Sequence, residues 1–117
     1  SGNDEDLIVF NATSLGTTTR GNFEFYFDGS AVNLTDGSED LNSVWINRTT
    51  PTNPSLYLTT KGDFSVKGGL RGDNNDIFVC ASTSLGNTTN CAFSLYLNAG
   101  QYGFQSAIDG LSIAPCL

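Results

Sequence analysis

The chain has 117 residues, 12 acidic against 5 basic side chains, a net charge of −7, and neither His nor Met. Without imidazole there is no Ser-His-Asp triad, no Cys-His dyad and no His-ligated zinc or haem. Two lysines and three arginines do not make the clustered positive charge that binds nucleic acid or an anionic membrane surface, and no run of about 18 apolar residues is present for membrane insertion.

The first residues, Ser1-Gly2-Asn3-Asp4, lack an initiator Met, which predicts a processed mature chain or a piece of a longer one. Residues 7–10 are a short apolar run, as expected of a strand covered on both faces. Residues 22–28 alternate, with Phe23, Phe25 and Phe27 on one face and Glu24, Tyr26 and Asp28 on the other. Residues 41–46 read as a third strand with Trp45 on its polar side. Residues 55–69 predict a tight hairpin: Leu56 and Leu58 face inward, Lys61-Gly62 turn the chain with a positive φ at Gly62, and Phe64 and Val66 face inward again. Residues 77–80, 92–98 and 108–113 read as three further strands, and no window of 12 residues carries helical spacing.

These elements recur. Residues 6–34 and 76–104 align at an offset of 70 without a gap, and ten of 29 positions are identical, including the TSLG-x-TT of Thr13–Thr19 and Thr83–Thr89. After a gap of three residues, 41–46 align with 108–113. The expected fold is one all-β domain over 1–117, an antiparallel β-sandwich of about 7–8 strands built from two internal repeats. The repeats are 1–70 and 71–117, the second incomplete. The alternative is a set of stacked sheets resembling propeller blades.

Three cysteines without a CxxC spacing fit an oxidising compartment rather than a metal site. Cys80 and Cys91 fall on the two strands of one predicted hairpin, within disulfide reach, where the first copy has Phe10 and Gly21. Cys116 is left over, either as an unpaired thiol or as an intermolecular bridge.

The acidic loops Asn3-Asp4-Glu5-Asp6 and Asp73-Asn74-Asn75-Asp76 hold the same repeat position. Asp4, Asp6, Asp73 and Asp76 are candidate calcium ligands, because close-set oxygen donors suit that ion; the competing reading is ordinary turn residues. Asp36, Glu39 and Asp40 form a second acidic loop. No other cofactor is expected. No carboxylate pair is spaced as an acid and a nucleophile, and enzyme activity is not expected. Asn11, Asn33, Asn47 and Asn87 head N-glycosylation sequons. Tyr26, Trp45 and Tyr96, on the polar sides of their strands, are a candidate glycan-binding patch, a sandwich layer or a subunit interface.

Asp76-Ile77-Phe78-Val79, Thr13-Ser14-Leu15-Gly16, Phe25-Tyr26-Phe27-Asp28-Gly29-Ser30, Glu39-Asp40 and Leu56-Tyr57-Leu58-Thr59-Thr60, drawn from the two copies, match the successive motifs of a pattern that resembles a β-rich repeat of about 70 residues in large secreted or cell-surface bacterial proteins. The resemblance implies a scaffold in an extracellular setting and adds no catalytic residue. The expected function is a non-enzymatic extracellular structural protein that joins head to tail through strand edges into a fibre or surface layer. Its partners are then copies of itself or neighbouring repeats. The alternative is a carbohydrate-binding or adhesive module of a surface protein.

Overall fold

A computed structural model describes residues 3–49 and 52–113. The described residues form antiparallel strands with three short 3-10 turns. β1 (Leu7–Ser14) and β2 (Arg20–Phe27) make a two-stranded hairpin. β3 (Leu41–Asn47), β4 (Ser55–Thr60), β7 (Asp76–Ser84) and β8 (Asn90–Asn98) make a four-stranded sheet in the order β3-β4-β7-β8. Between β4 and β7, β5 (Phe64–Ser65) pairs with β6 (Arg71–Gly72). The fold is all-β and antiparallel, in a sandwich-like arrangement in which the β5–β6 pair lies over one face of the four-stranded sheet through Phe64.

The two long hairpins share one register. Leu7 faces Phe27, Ile8 faces Phe25 and Phe10 faces Phe23; seventy positions on, Ile77 faces Leu97, Phe78 faces Leu95 and Cys80 faces Phe93. Both ladders are shifted at equivalent places, which leaves Tyr26 and Tyr96 as extra residues in a bulge. The turns match as well. Thr19 Oγ1 donates to the Gly16 carbonyl and Thr89 Oγ1 to the Gly86 carbonyl. Each hairpin then runs into a 3-10 turn, Gly29–Val32 or Ala99–Tyr102, capped by an Asp28 or Asn98 side chain and closed by a left-handed residue, Asn33 or Gly103.

The core lies on one face of the four-stranded sheet. Val44 and Ile46 on β3 face Leu58 and Leu56 on β4, which in turn face Phe78 and Cys80 on β7. Phe27, Val32, Leu34, Phe64 and Val66 close over this surface and are buried with it. The Phe64 and Phe78 rings stack with centroids 4.1 Å apart. Alternation along β4 therefore sorts the side chains as the sequence predicts, with Leu56 and Leu58 fully buried and Tyr57 on the outer face.

Three local expectations are corrected. Residues 55–69 do not form a hairpin about Lys61-Gly62. β4 pairs with β3 and β7 instead, and the Lys61 and Gly62 amides donate to the carbonyls of Asp40 and Ser38. A side chain at Gly62 would come within 2.9 Å of Ser38 Cβ, so this glycine serves close approach rather than a positive φ. The turn lies later, at Gly68 (φ 102°) and Gly69 (φ 100°), where the Val66 amide donates to the Leu70 carbonyl. Residues 108–113 form no strand, although the Ile108 amide donates to the Asn74 carbonyl as the Leu41 amide donates to that of Asp4. Residues 7–10 are not covered on both faces: Ile8 and Phe10 are exposed, whereas Phe78 and Cys80 are buried.

This contrast has a measurable consequence. Phe78→Ala empties a filled core site and should cost about 3–5 kcal/mol. Ile8→Ala trims a side chain that is 44% exposed and should cost about 1 kcal/mol or less. Urea midpoints of the two variants, read against wild type, check the difference.

Candidate functional site

The chemistry of this surface is set by what covers each hairpin. The second hairpin packs its apolar face on Leu56, Leu58 and Phe64, and its β7 edge is paired with β4. The first hairpin has no such neighbour among the described strands: β1 pairs only with β2. Ile8 is consequently 44% exposed and Phe23 73%. The reverse asymmetry holds beyond the hairpins. Val32 and Leu34 are fully buried, and the Val32 carbonyl accepts the Lys67 amide. Their counterparts Tyr102 and Phe104 are 70% and 64% exposed. The molecule thus exposes apolar side chains at two sets of positions whose repeat equivalents are wholly or partly buried. Bare apolar surface of this kind marks interaction sites.

The hairpins also differ in how they are closed. Cys80 and Cys91 form the predicted disulfide, with Cα atoms 5.0 Å apart. In the first hairpin the Phe10 ring occupies that place: a Cβ on Gly21 would lie 2.7 Å from its Cζ. Phe10 also contacts Phe23, at 4.8 Å between centroids. The two hairpins are held together where the Gly86 amide donates to the Tyr26 carbonyl and the Asp28 amide to Thr89 Oγ1. Cys116 lies outside the described residues, as do Ser1 and Gly2.

The candidate aromatic patch divides. Tyr26 is partly buried against the core. Trp45 stands opposite Tyr57 in the β3–β4 ladder, and Tyr57 meets Tyr96 edge to face at 4.9 Å. Trp45, Tyr57 and Tyr96 therefore form a row across the outer face of the four-stranded sheet. Tyr57 was not singled out from the sequence; its signal is its place between two inward leucines.

The acidic residues are engaged as turn formers. Asp6 accepts the Asn3 amide through Oδ2 and the Gly29 amide through Oδ1. Asp76 Oδ2 accepts the Asp73 amide at 3.0 Å, and the Asp4 carbonyl accepts the Leu41 amide. Asp76 Oδ1 is buried without a partner, as is Oδ1 of Asn75, since the Ala99 amide donates to the Asn75 carbonyl rather than to this carboxylate. Burial, with the Asp73 charge in support, pushes the Asp76 pKa above its ordinary value even though the Asp73 amide pulls it down. Among the described residues no three metal-ligating side chains converge. Of the sequons, Asn11, Asn33 and Asn87 are exposed, while Asn47 is half-buried and its Oδ1 accepts the Thr49 amide.

Glu39, read as part of a second acidic loop, is buried. Its Oε2 accepts the Thr35 and Asp36 amides at 2.8 and 3.0 Å, and its Oε1 accepts the Ser65 amide at 2.8 Å. Burial raises its pKa, but the three backbone donors outweigh that and hold it below the ordinary 4.5. The carboxylate ties the 3-10 turn Gly37–Glu39 to β5. It lines an open groove of about 550 Å³ with Asp36, Asp63, Arg71 and Asp73.

Comparison with protein-family models, curated proteins and solved structures finds no match. Among the described residues no helix is long and apolar enough to cross a membrane.

Two predictions concern these anchors. Glu39→Gln should lower stability at neutral pH by about 1–3 kcal/mol, since it weakens charge-assisted bonds. Because the folded pKa is depressed, the carboxylate stabilises the fold above 4.5 and the contribution fades as pH falls through the folded value. The gap between wild type and variant in thermal melts should therefore close on acidification. Replacing both Cys80 and Cys91 by Ser should cost about 2–3 kcal/mol for so short a loop, read as a fall in urea midpoint.

Proposed function

We propose that the chain is a non-enzymatic, extracellular structural module that joins like modules head to tail through its two bare ends. The observation that carries this reading is the asymmetry between equivalent positions. Ile8, Phe10 and Phe23 are exposed on the first hairpin and Tyr102 and Phe104 after the second, whereas the matching Phe78, Cys80, Val32 and Leu34 are buried and Phe93 is half-buried. Because the two ends differ, pairing them makes a heterologous contact, which propagates rather than closes unless the rotation per step forms a ring. The β1 edge away from β2, unpaired among the described strands, adds backbone donors and acceptors in a row, the usual substrate for strand addition. The Cys80–Cys91 disulfide suits an oxidising extracellular setting, and an acidic, Thr- and Ser-rich surface suits one exposed to solvent. Neighbours are copies of this chain or further modules of the same kind.

A carbohydrate-binding module is the second reading, favoured by the Trp45–Tyr57–Tyr96 row. Ring faces set along a sheet stack on the apolar faces of sugars. This surface lies away from the core, so the two readings occupy separate faces.

Light scattering and negative-stain images over rising concentration test the first reading. Wild type should form elongated oligomers, and Ile8→Asp with Phe23→Asp should remain folded and monomeric. A strict monomer at all concentrations, with wild-type and variant profiles superimposed, sinks the self-joining form of the idea. A glycan array with wild type and Trp45→Ala tests the second: binding that survives the substitution removes the aromatic row as its basis.

A further inference from the structure

We infer that the first hairpin is an acceptor for a donor segment of the kind carried by residues 55–72, supplied by another module rather than by the exposed end of an identical chain. The inference deepens the head-to-tail reading by naming what fills one end. The internal junction supplies the template. There β4 lies along β7 with Ser55 opposite Ala81, Leu56 opposite Cys80, Tyr57 opposite Val79 and Leu58 opposite Phe78. The chain then returns with Phe64 stacked on Phe78 and Val66 buried beside it. The first hairpin has the same ladder and the same bulges as the second. Transposed by 70 positions, the donor meets β1 with Leu56 opposite Phe10, Tyr57 opposite Val9 and Leu58 opposite Ile8.

Size and charge fit this occupant. The second hairpin presents a large and a small residue to the donor, Phe78 and Cys80. The first presents Ile8 and Phe10, the large member moved by one pair, so the apolar volume is roughly kept. Residues 55–72 hold Lys61, Lys67 and Arg71 against Asp63, a net charge of +2 in a chain of −7. Residues 3–28 hold Asp4, Glu5, Asp6, Glu24 and Asp28 against Arg20, a net −4. Opposite potentials favour encounter and correct pairing.

Stoichiometry argues against identical chains lending the segment to one another. The described residues hold two acceptor hairpins and one donor, and that donor is already held between β3 and β7. Lending it outward opens the second hairpin while closing a first one elsewhere. Exchange of this segment among identical copies therefore leaves half the described acceptors unfilled, and the donor that satisfies the first hairpin comes from a module with such a segment to spare.

A fluorophore-labelled peptide of residues 55–72, added to the whole protein and followed by anisotropy, tests this. Saturable 1:1 binding is expected. It should weaken by about tenfold or more for each of the peptide substitutions Leu56→Asp and Leu58→Asp, and for Ile8→Asp in the protein. Register is read separately. A Tyr57→Cys peptide should form a disulfide with Val9→Cys protein in preference to Leu7→Cys or Asn11→Cys, mapped by mass spectrometry. Absence of saturable binding, insensitivity to the two leucines, or cross-links without preference for Val9 overturns the inference. If the protein assembles by itself while the peptide fails to bind, the head-to-tail reading stands and this inference falls. If the peptide binds and the protein alone stays monomeric, the inference stands and self-joining falls.

Discussion

The pairing of β4 with β7 is the contact on which the rest of the molecule depends. It lays Leu56 and Leu58 against Cys80 and Phe78, and it brings a strand from the first part of the chain into the hairpin of the second. Every buried aliphatic residue of the large sheet lies within one strand of that line. β3 follows because its Val44 and Ile46 need the other side of the same leucines. A strand pair this far apart in sequence forms only once loop-closure entropy is offset by burial, so the ladder and the core behind it form together.

Glu39 secures the return from β4. A buried carboxylate is costly unless its oxygens are bonded, and here three backbone amides meet them. The clamp holds the loop after Leu34 against β5, which is what keeps Val32 and Leu34 covered while Tyr102 and Phe104 are bare. The polar bond and the apolar asymmetry are thus linked: the first 3-10 turn has a β5–β6 segment to close over it and the second, among the described residues, does not.

The disulfide and its counterpart show how one hairpin frame tolerates two solutions. Cys80 and Cys91 bridge β7 and β8 covalently under the core, where there is little room beside Phe78 and Phe93. Phe10 reaches over Gly21 instead and packs against Phe23. The exposed hairpin is held by a ring contact and its ladder, the buried one by a covalent bond.

Much of this was legible from residue order. Alternation along 22–28 and 92–98, the offset of 70 and the cysteine positions pointed to two matching antiparallel hairpins and one disulfide, because side-chain period and turn chemistry are local properties. Lys61-Gly62 misled, since a glycine required for close approach to Ser38 reads the same as one required for a positive φ. Residues 108–113 misled because a strand pattern specifies a face and not a partner. Glu39 read as one member of an acidic loop, since the amides of Thr35, Asp36 and Ser65 that meet it converge only through the fold. By itself the sequence determined the all-β class, most of the strands and the likeness of the two hairpins. Only the tertiary structure decided which hairpin is covered and which is bare. That depends on where one segment, 55–72, spends its leucines and Phe64, and a single segment can lie along only one hairpin at a time.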